Sequence, residues 1–111
     1  TEGGLDVARD ENWLSDFIGP LREAGCRVSL FIGHDPRQID AAARVGAAVV
    51  ELHTGAYCDF DTEGRLAERD AELAGLAEGA RLAASLAARE PYYRQALQRE
   101  FGIRRTPSVA P

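Results

Sequence analysis

Apolar positions along the first half of the chain recur in two alternating rhythms. Over residues 11–24, Trp13, Phe17, Leu21 and Ala24 fall at spacings of four, four and three, the stripe of an amphipathic helix. Gly25 follows where a helix commonly ends in a left-handed turn. Pro20, which has no N–H to give, predicts a kink or restart inside that stretch. Arg27-Val28-Ser29-Leu30-Phe31-Ile32 is β-branched and aromatic enough for a short buried strand. A second helix is signalled by Asp35 as cap, Pro36 at its first position and Gln38 as capping-box partner. It continues through Ile39 and Ala41-Ala42-Ala43 to Val45 and stops at Gly46. Ala47 to His53 is apolar almost to its end and predicts a second strand. Thr54 to Gly64 is polar and is expected to be a loop. Leu66, Leu73, Leu76, Ala80, Ala83 and Ala87 then mark a long Ala-rich helix over residues 65–88.

Helix, strand, helix, strand, helix is the order of an α/β protein. Parallel strands with right-handed crossovers and flanking helices are expected. Beyond that order the pattern changes. Pro91 can open another helix, with Tyr93, Leu97 and Phe101 four apart and Gly102 as its stop, and residues 104–111 predict a frayed tail. Charge changes in the same place. Residues 1–88 hold 8 Arg against 16 acids, and residues 89–111 hold 5 Arg against 2. The reading therefore divides the chain into an α/β part over 1–88 and a divergent helix and tail over 89–111.

Composition narrows the function classes. The 111 residues suffice for one domain with a real core. A net charge of −5 argues against a nucleic-acid or anionic-membrane binder. No run approaches the roughly 18 apolar residues of a membrane span. There is no Met, so the segment is expected to have been cut, processed or read from within a longer frame. Cys26 and Cys58 form no C-x-x-C pattern and are expected to be two reduced, packed thiols of a cytoplasmic protein. His34 and His53 stand at no ligand spacing from either, so no metal site is expected.

Chemistry in a parallel α/β protein gathers at the C-terminal ends of its strands. One such end is Ile32-Gly33-His34-Asp35, where His34 is expected to face solvent. The other is Glu51-Leu52-His53-Thr54-Gly55, where an apolar strand delivers a carboxylate and an imidazole. Alternation along a strand puts Glu51 and His53 on one face and Leu52 on the other. Among Val49, Val50 and Leu52 the carboxylate should be partly desolvated, which raises a carboxyl pKa and suits proton transfer. A buried Glu–His pair that only fixes packing is an equal alternative. Tyr57 and Asp59-Phe60-Asp61 could form a lid or be ordinary loop polarity, and Gly3-Gly4 a turn near a ligand or a plain turn.

The strings Thr1-Glu2-Gly3-Gly4-Leu5-Asp6-Val7, Ala24-Gly25-Cys26-Arg27-Val28-Ser29-Leu30-Phe31-Ile32, Asp35-Pro36-Arg37-Gln38-Ile39-Asp40-Ala41-Ala42, Val50-Glu51-Leu52-His53-Thr54-Gly55-Ala56-Tyr57 and Arg81-Leu82-Ala83-Ala84-Ser85-Leu86 occur in this order. Together they resemble the pyridoxine 5′-phosphate synthases of the deoxyxylulose-dependent vitamin B6 pathway. The resemblance covers about residues 1–86. It implies a partial TIM (β/α)8 barrel contributing two parallel strands. It also implies the condensation of 1-deoxy-D-xylulose 5-phosphate with 3-amino-2-oxopropyl phosphate. No metal or organic cofactor is implied, and the partners would be phosphorylated small molecules, in a homo-oligomer when the enzyme is intact.

The family's transition-state-stabilising Glu maps onto Glu51; His53 is not carried over as catalytic, and no substrate-binding residue is assigned. A substrate-contacting Thr of the family would fall one position before Thr1. Gly33 stands where the family commonly has Asp. The family's G-H-G strand is not found after Leu86. The segment is expected to be inactive alone, two strands being too few to close a barrel of roughly 200 residues or more. The alternatives are a non-catalytic fragment or interaction module, and another phosphate-binding barrel isomerase or lyase.

Overall fold

The computed structural model describes residues 3–101, with side chains through residue 89. Its elements are α1 (Glu11–Glu23), β1 (Ser29–Ile32), α2 (Pro36–Val45), β2 (Val49–Leu52), α3 (Gly55–Thr62) and α4 (Leu66–Phe101). The strands pair in parallel, with Ser29 against Val49, Leu30 against Val50, Phe31 against Glu51 and Ile32 against Leu52. The α/β order expected from the pattern is observed, with each strand a few residues shorter than its apolar run.

Strand alternation sets the inside and the outside. Leu30 and Ile32 are buried, while Ser29 and Phe31, which alternate with them, are exposed. The buried side chains meet Val7, Leu14, Ile18, Ile39, Ala41, Ala42 and Val45 in one core, with Val50, Leu52, Leu82, Ala83 and Leu86 packed at its edge. Helices thus cover one sheet face. The other, carrying Phe31 and Glu51, is left open among the described residues.

The helix signals held where they concerned backbone geometry. Gly25 and Gly46 take left-handed conformations at φ +90° and +91°, ending α1 and α2 as expected. The Asp35 carboxylate accepts the Arg37 N–H at 2.9 Å with Pro36 beside it at the start of α2. Gln38 does not complete a capping box. Its Oε1 instead accepts the N–H groups of Val7 at 2.8 Å and Ala8 at 3.1 Å, and its Nε2 donates to Asp6 at 2.8 Å. A cap saves one orphan donor, whereas this arrangement satisfies two and fastens the N-terminal loop to α2.

The apolar stripe of α1 faces the other way from its expected role. Leu14 and Ile18 are buried, while Trp13 (64% exposed) and Phe17 (56%) stack on each other at the surface, with centroids 5.2 Å apart. Periodicity shows that a helix has an apolar side but not which of two adjacent stripes meets the core. Pro20 causes no break, because in the last turn it forfeits a single bond, and its own carbonyl accepts the Ala24 N–H at 3.0 Å.

Two further expectations are corrected. Gly55–Thr62 is helical, not loop. Its polar residues work locally, with the Thr62 hydroxyl donating back to the Cys58 carbonyl at 2.9 Å and Gly64 turning the chain at its end. The break expected at Pro91 is absent, and α4 runs on to Phe101, since one proline removes one bond from a helix otherwise rich in good formers. The tail over 104–111 lies outside the described residues. Cys26 and Cys58 are free but exposed, not packed.

Helix α4 packs through small residues. Leu66 and Leu73 are about half exposed, whereas Gly79 is buried and Gly75 half-buried. A Cβ at Gly75 would lie 2.5 Å from His34 Cε1, and one at Gly79 would lie 3.1 Å from Ile39 Cδ1. His34 fills this groove and bonds Glu72 through Nε2 at 2.8 Å, half-buried instead of facing solvent as expected. The sequence signal was the glycine spacing of four on one helix face. Gly75→Ala is expected to destabilise the chain by about 1–3 kcal/mol by overpacking the imidazole, despite alanine's better helix propensity. Urea titration of the variant checks it, and an unchanged or raised midpoint would contradict the packing.

Candidate functional site

Three segments gather at the C-terminal end of the sheet. The first is the N-terminal loop, where Leu5 N–H donates to the Phe31 carbonyl at 2.7 Å. Gly4 lies so close that a Cβ there would come 2.9 Å from Ile32 Cα, at a backbone φ of +81°. Only glycine fits both demands, so Gly4 is a close backbone approach, while Gly3 beside it has open space. The second segment is Gly33-His34-Asp35 after β1. The third is His53-Thr54 after β2, where His53 N–H donates to the Ile32 carbonyl at 2.8 Å and continues the ladder past Leu52.

Glu51 is exposed on the open face, opposite Phe31 in register. The desolvated setting expected for it is therefore not found among the described residues. Val49, Val50 and Leu52 flank it along the strand, but no described element covers its face. Nor does it pair with His53. The imidazole Nδ1 accepts the Gly55 N–H at 3.1 Å, and its ring lies 5.2 Å from Phe31, tilted by 41°. The buried Glu–His pair of the packing alternative is thus not formed. Glu51, His53 and Phe31 share one solvent-open surface, which can bind and orient a ligand but does not exclude water from it.

Two of the candidate lid residues are engaged elsewhere. Asp61 pairs with Arg69 at 2.7 Å, and Phe60 lies 4.8 Å beneath the Arg65 guanidinium. Among the described residues no group of three or more His, Cys, Asp or Glu could hold a metal ion. No helix among them is long and apolar enough to cross a membrane.

Charge around the strand ends is fixed by short-range bonds. The Gln38 side chain, with the Arg9 backbone N–H behind it, holds the Asp6 carboxyl below its ordinary range. The Arg37 guanidinium does the same for Asp35, and that of Arg44 for Glu11 at 2.6 Å. A carboxyl whose folded pKa is depressed stabilises the fold above its unfolded pKa and loses that contribution as pH falls through the folded value. Stability is therefore expected to be held above pH of about 5 and to decline progressively below about 4. Thermal midpoints measured across that window check it; midpoints that rise on acidification would contradict these pairings.

A parallel sheet clothed by helices on one face, with a carboxylate and an imidazole at its C-terminal end on the other, defines a parallel α/β protein whose open strand ends are its candidate site. The chain belongs to the family described as pyridoxal phosphate biosynthesis protein PdxJ, whose profile matches residues 1–89. It is 67% identical over 86 residues to the pyridoxine 5′-phosphate synthase of Cereibacter sphaeroides, covering 78% of this chain and 34% of that protein. The synthase of Roseobacter denitrificans is 65% identical over the same shares, and that of Bradyrhizobium diazoefficiens 52% identical over 83 residues, 75% of this chain and 33% of its own length. The chain spans about a third of the length of the curated relatives it matches.

Proposed function

We propose that this chain is a central segment of a pyridoxine 5′-phosphate synthase. The whole enzyme would condense 1-deoxy-D-xylulose 5-phosphate with 3-amino-2-oxopropyl phosphate to pyridoxine 5′-phosphate, inorganic phosphate and water. The observation that carries this reading is Glu51 on the open sheet face, inside the matched residues 1–89. In a (β/α)8 barrel the helix-free face of each strand is the interior, and catalytic groups stand at strand C-terminal ends. Phe31 and Glu51 are then interior residues of a closed barrel, and further strands would supply the desolvation that Glu51 lacks here. In that setting the carboxylate would stabilise positive charge developing on the amine-bearing substrate, a role worth about 2–4 kcal/mol for one well-placed group. Phosphorylated small molecules are its partners, the cytoplasm its compartment, and a homo-oligomer its intact form. Residues 90–111 lie beyond the end of the family match.

The isolated chain is expected to show no turnover, because two strands cannot close a barrel and the open face excludes no water. Incubating the purified 111-residue chain with both phosphates and assaying pyridoxine 5′-phosphate tests this. Product above the uncatalysed rate would overturn the expectation. A second reading, a non-catalytic interaction module, is favoured by the surface pair Trp13 and Phe17. It requires a partner-bound species in sedimentation of the same preparation, and it fails if the Glu51→Gln exchange abolishes turnover in a complete barrel.

A further inference from the structure

Among the described residues of the open face, His53 has its ring held from two sides. Its Nδ1 accepts the Gly55 N–H at 3.1 Å, and its ring packs at 5.2 Å against Phe31 of the neighbouring strand. Gly55 can make that bond only because it lacks a side chain, since a Cβ there would run into Cε1 and both nitrogens of the imidazole. The same glycine is the first residue of α3, so the helix start and the ring are positioned together.

An amide N–H donates only to a ring nitrogen that carries no proton. The proton of the neutral ring is therefore on Nε2. Among the described residues Nε2 has no protein partner. Backbone pairing continues through His53, so strand alternation puts it on the same face as Glu51, two residues earlier. One face of β2 thus presents an acceptor and a donor, carried by Cα positions about 7 Å apart along the strand.

We infer that His53 is a substrate-binding donor of this site. Its Nε2–H is given to an oxygen of a phosphorylated ketone, either the carbonyl or the phosphate ester, while the Glu51 carboxylate takes the amine or hydroxyl at the molecule's other end. This rests on the functional reading above and adds to it a second binding residue with a fixed tautomer. No covalent step is involved; the histidine orients and does not exchange its proton.

The test uses the 111-residue chain with 15N-labelled histidine, the two imidazoles being assigned with His34→Gln. The expected spectrum places the His53 proton on Nε2 and leaves Nδ1 bare. Dihydroxyacetone phosphate is expected to shift the Nε2 resonance. A parallel titration with inorganic phosphate decides the acceptor: a response to both probes assigns the phosphate oxygens, and a response to the ketone alone assigns the carbonyl. His53→Phe, which keeps a ring and removes the donor, is expected to weaken binding of dihydroxyacetone phosphate about tenfold, the loss of one hydrogen bond. A proton on Nδ1, or an Nε2 resonance that ignores both probes, would overturn the inference. A complete barrel that makes no pyridoxine 5′-phosphate while Nε2 still answers the ketone would remove the functional reading and leave the donor standing.

Discussion

Ile32→Ala is expected to destabilise the chain by about 2–5 kcal/mol, enough to unfold most of a marginally stable domain. Ile32 is fully buried and lies on the covered face of β1, against a core that includes Val7, Leu14, Ile18 and Ile39. Its carbonyl also receives the His53 N–H, and its Cα is the atom that Gly4 approaches most closely. A cavity there loosens the strand end as well as the core, because the surrounding backbone is too crowded to collapse evenly. Phe31→Ala, one residue earlier on the open face, should cost far less, since Phe31 is 41% exposed. Urea unfolding of the two variants side by side checks the assignment of faces. Equal losses would mean that the sheet is covered on both sides.

The second large effect concerns chemistry rather than stability. In a complete barrel carrying this segment, Glu51→Gln is expected to lower kcat by about 10²–10³-fold, with the unfolding midpoint unchanged within about 0.5 kcal/mol. The amide keeps the shape of the carboxylate and loses its charge. Glu51 touches nothing in the described core, so the fold has little to lose. A drop in kcat with KM nearly constant assigns the residue to the transition state, whereas a rise in KM alone would make it a ground-state contact. Circular dichroism and steady-state kinetics on the same preparation separate the two outcomes.

Backbone-level features were the legible part of this sequence. Gly25, Gly46, Asp35 and Pro36 mark element ends by their own conformational limits, and those limits act whatever surrounds them. Strand alternation likewise put Glu51 and His53 on one face. What could not be read depended on partners distant in the chain. Trp13 and Phe17 outrank Leu14 and Ile18 in size, yet the smaller pair is buried, because which stripe meets the sheet is set by the strands and by α2. Gln38 looked like a local cap, and its partners proved to be 30 and more positions away, at Asp6, Val7 and Ala8. His34 found Glu72 and two glycines on a helix 38 positions on. The polar run after β2 was misread as loop because its helix buries no side chain and leaves no apolar period to detect. Glu51 was expected to be desolvated from its neighbours along the strand, whereas burial of a strand residue is decided by what lies across its face.

On the proposed function, the open face of this sheet is the inner wall of a synthase barrel. The most direct measurement replaces the matching stretch of the Cereibacter sphaeroides pyridoxine 5′-phosphate synthase with residues 1–86 of this chain and assays ring closure. The expected result is a folded protein that forms pyridoxine 5′-phosphate from the two phosphates and loses that activity with Glu51→Gln. A folded graft that forms no product, or one whose turnover survives the exchange at Glu51, would contradict it.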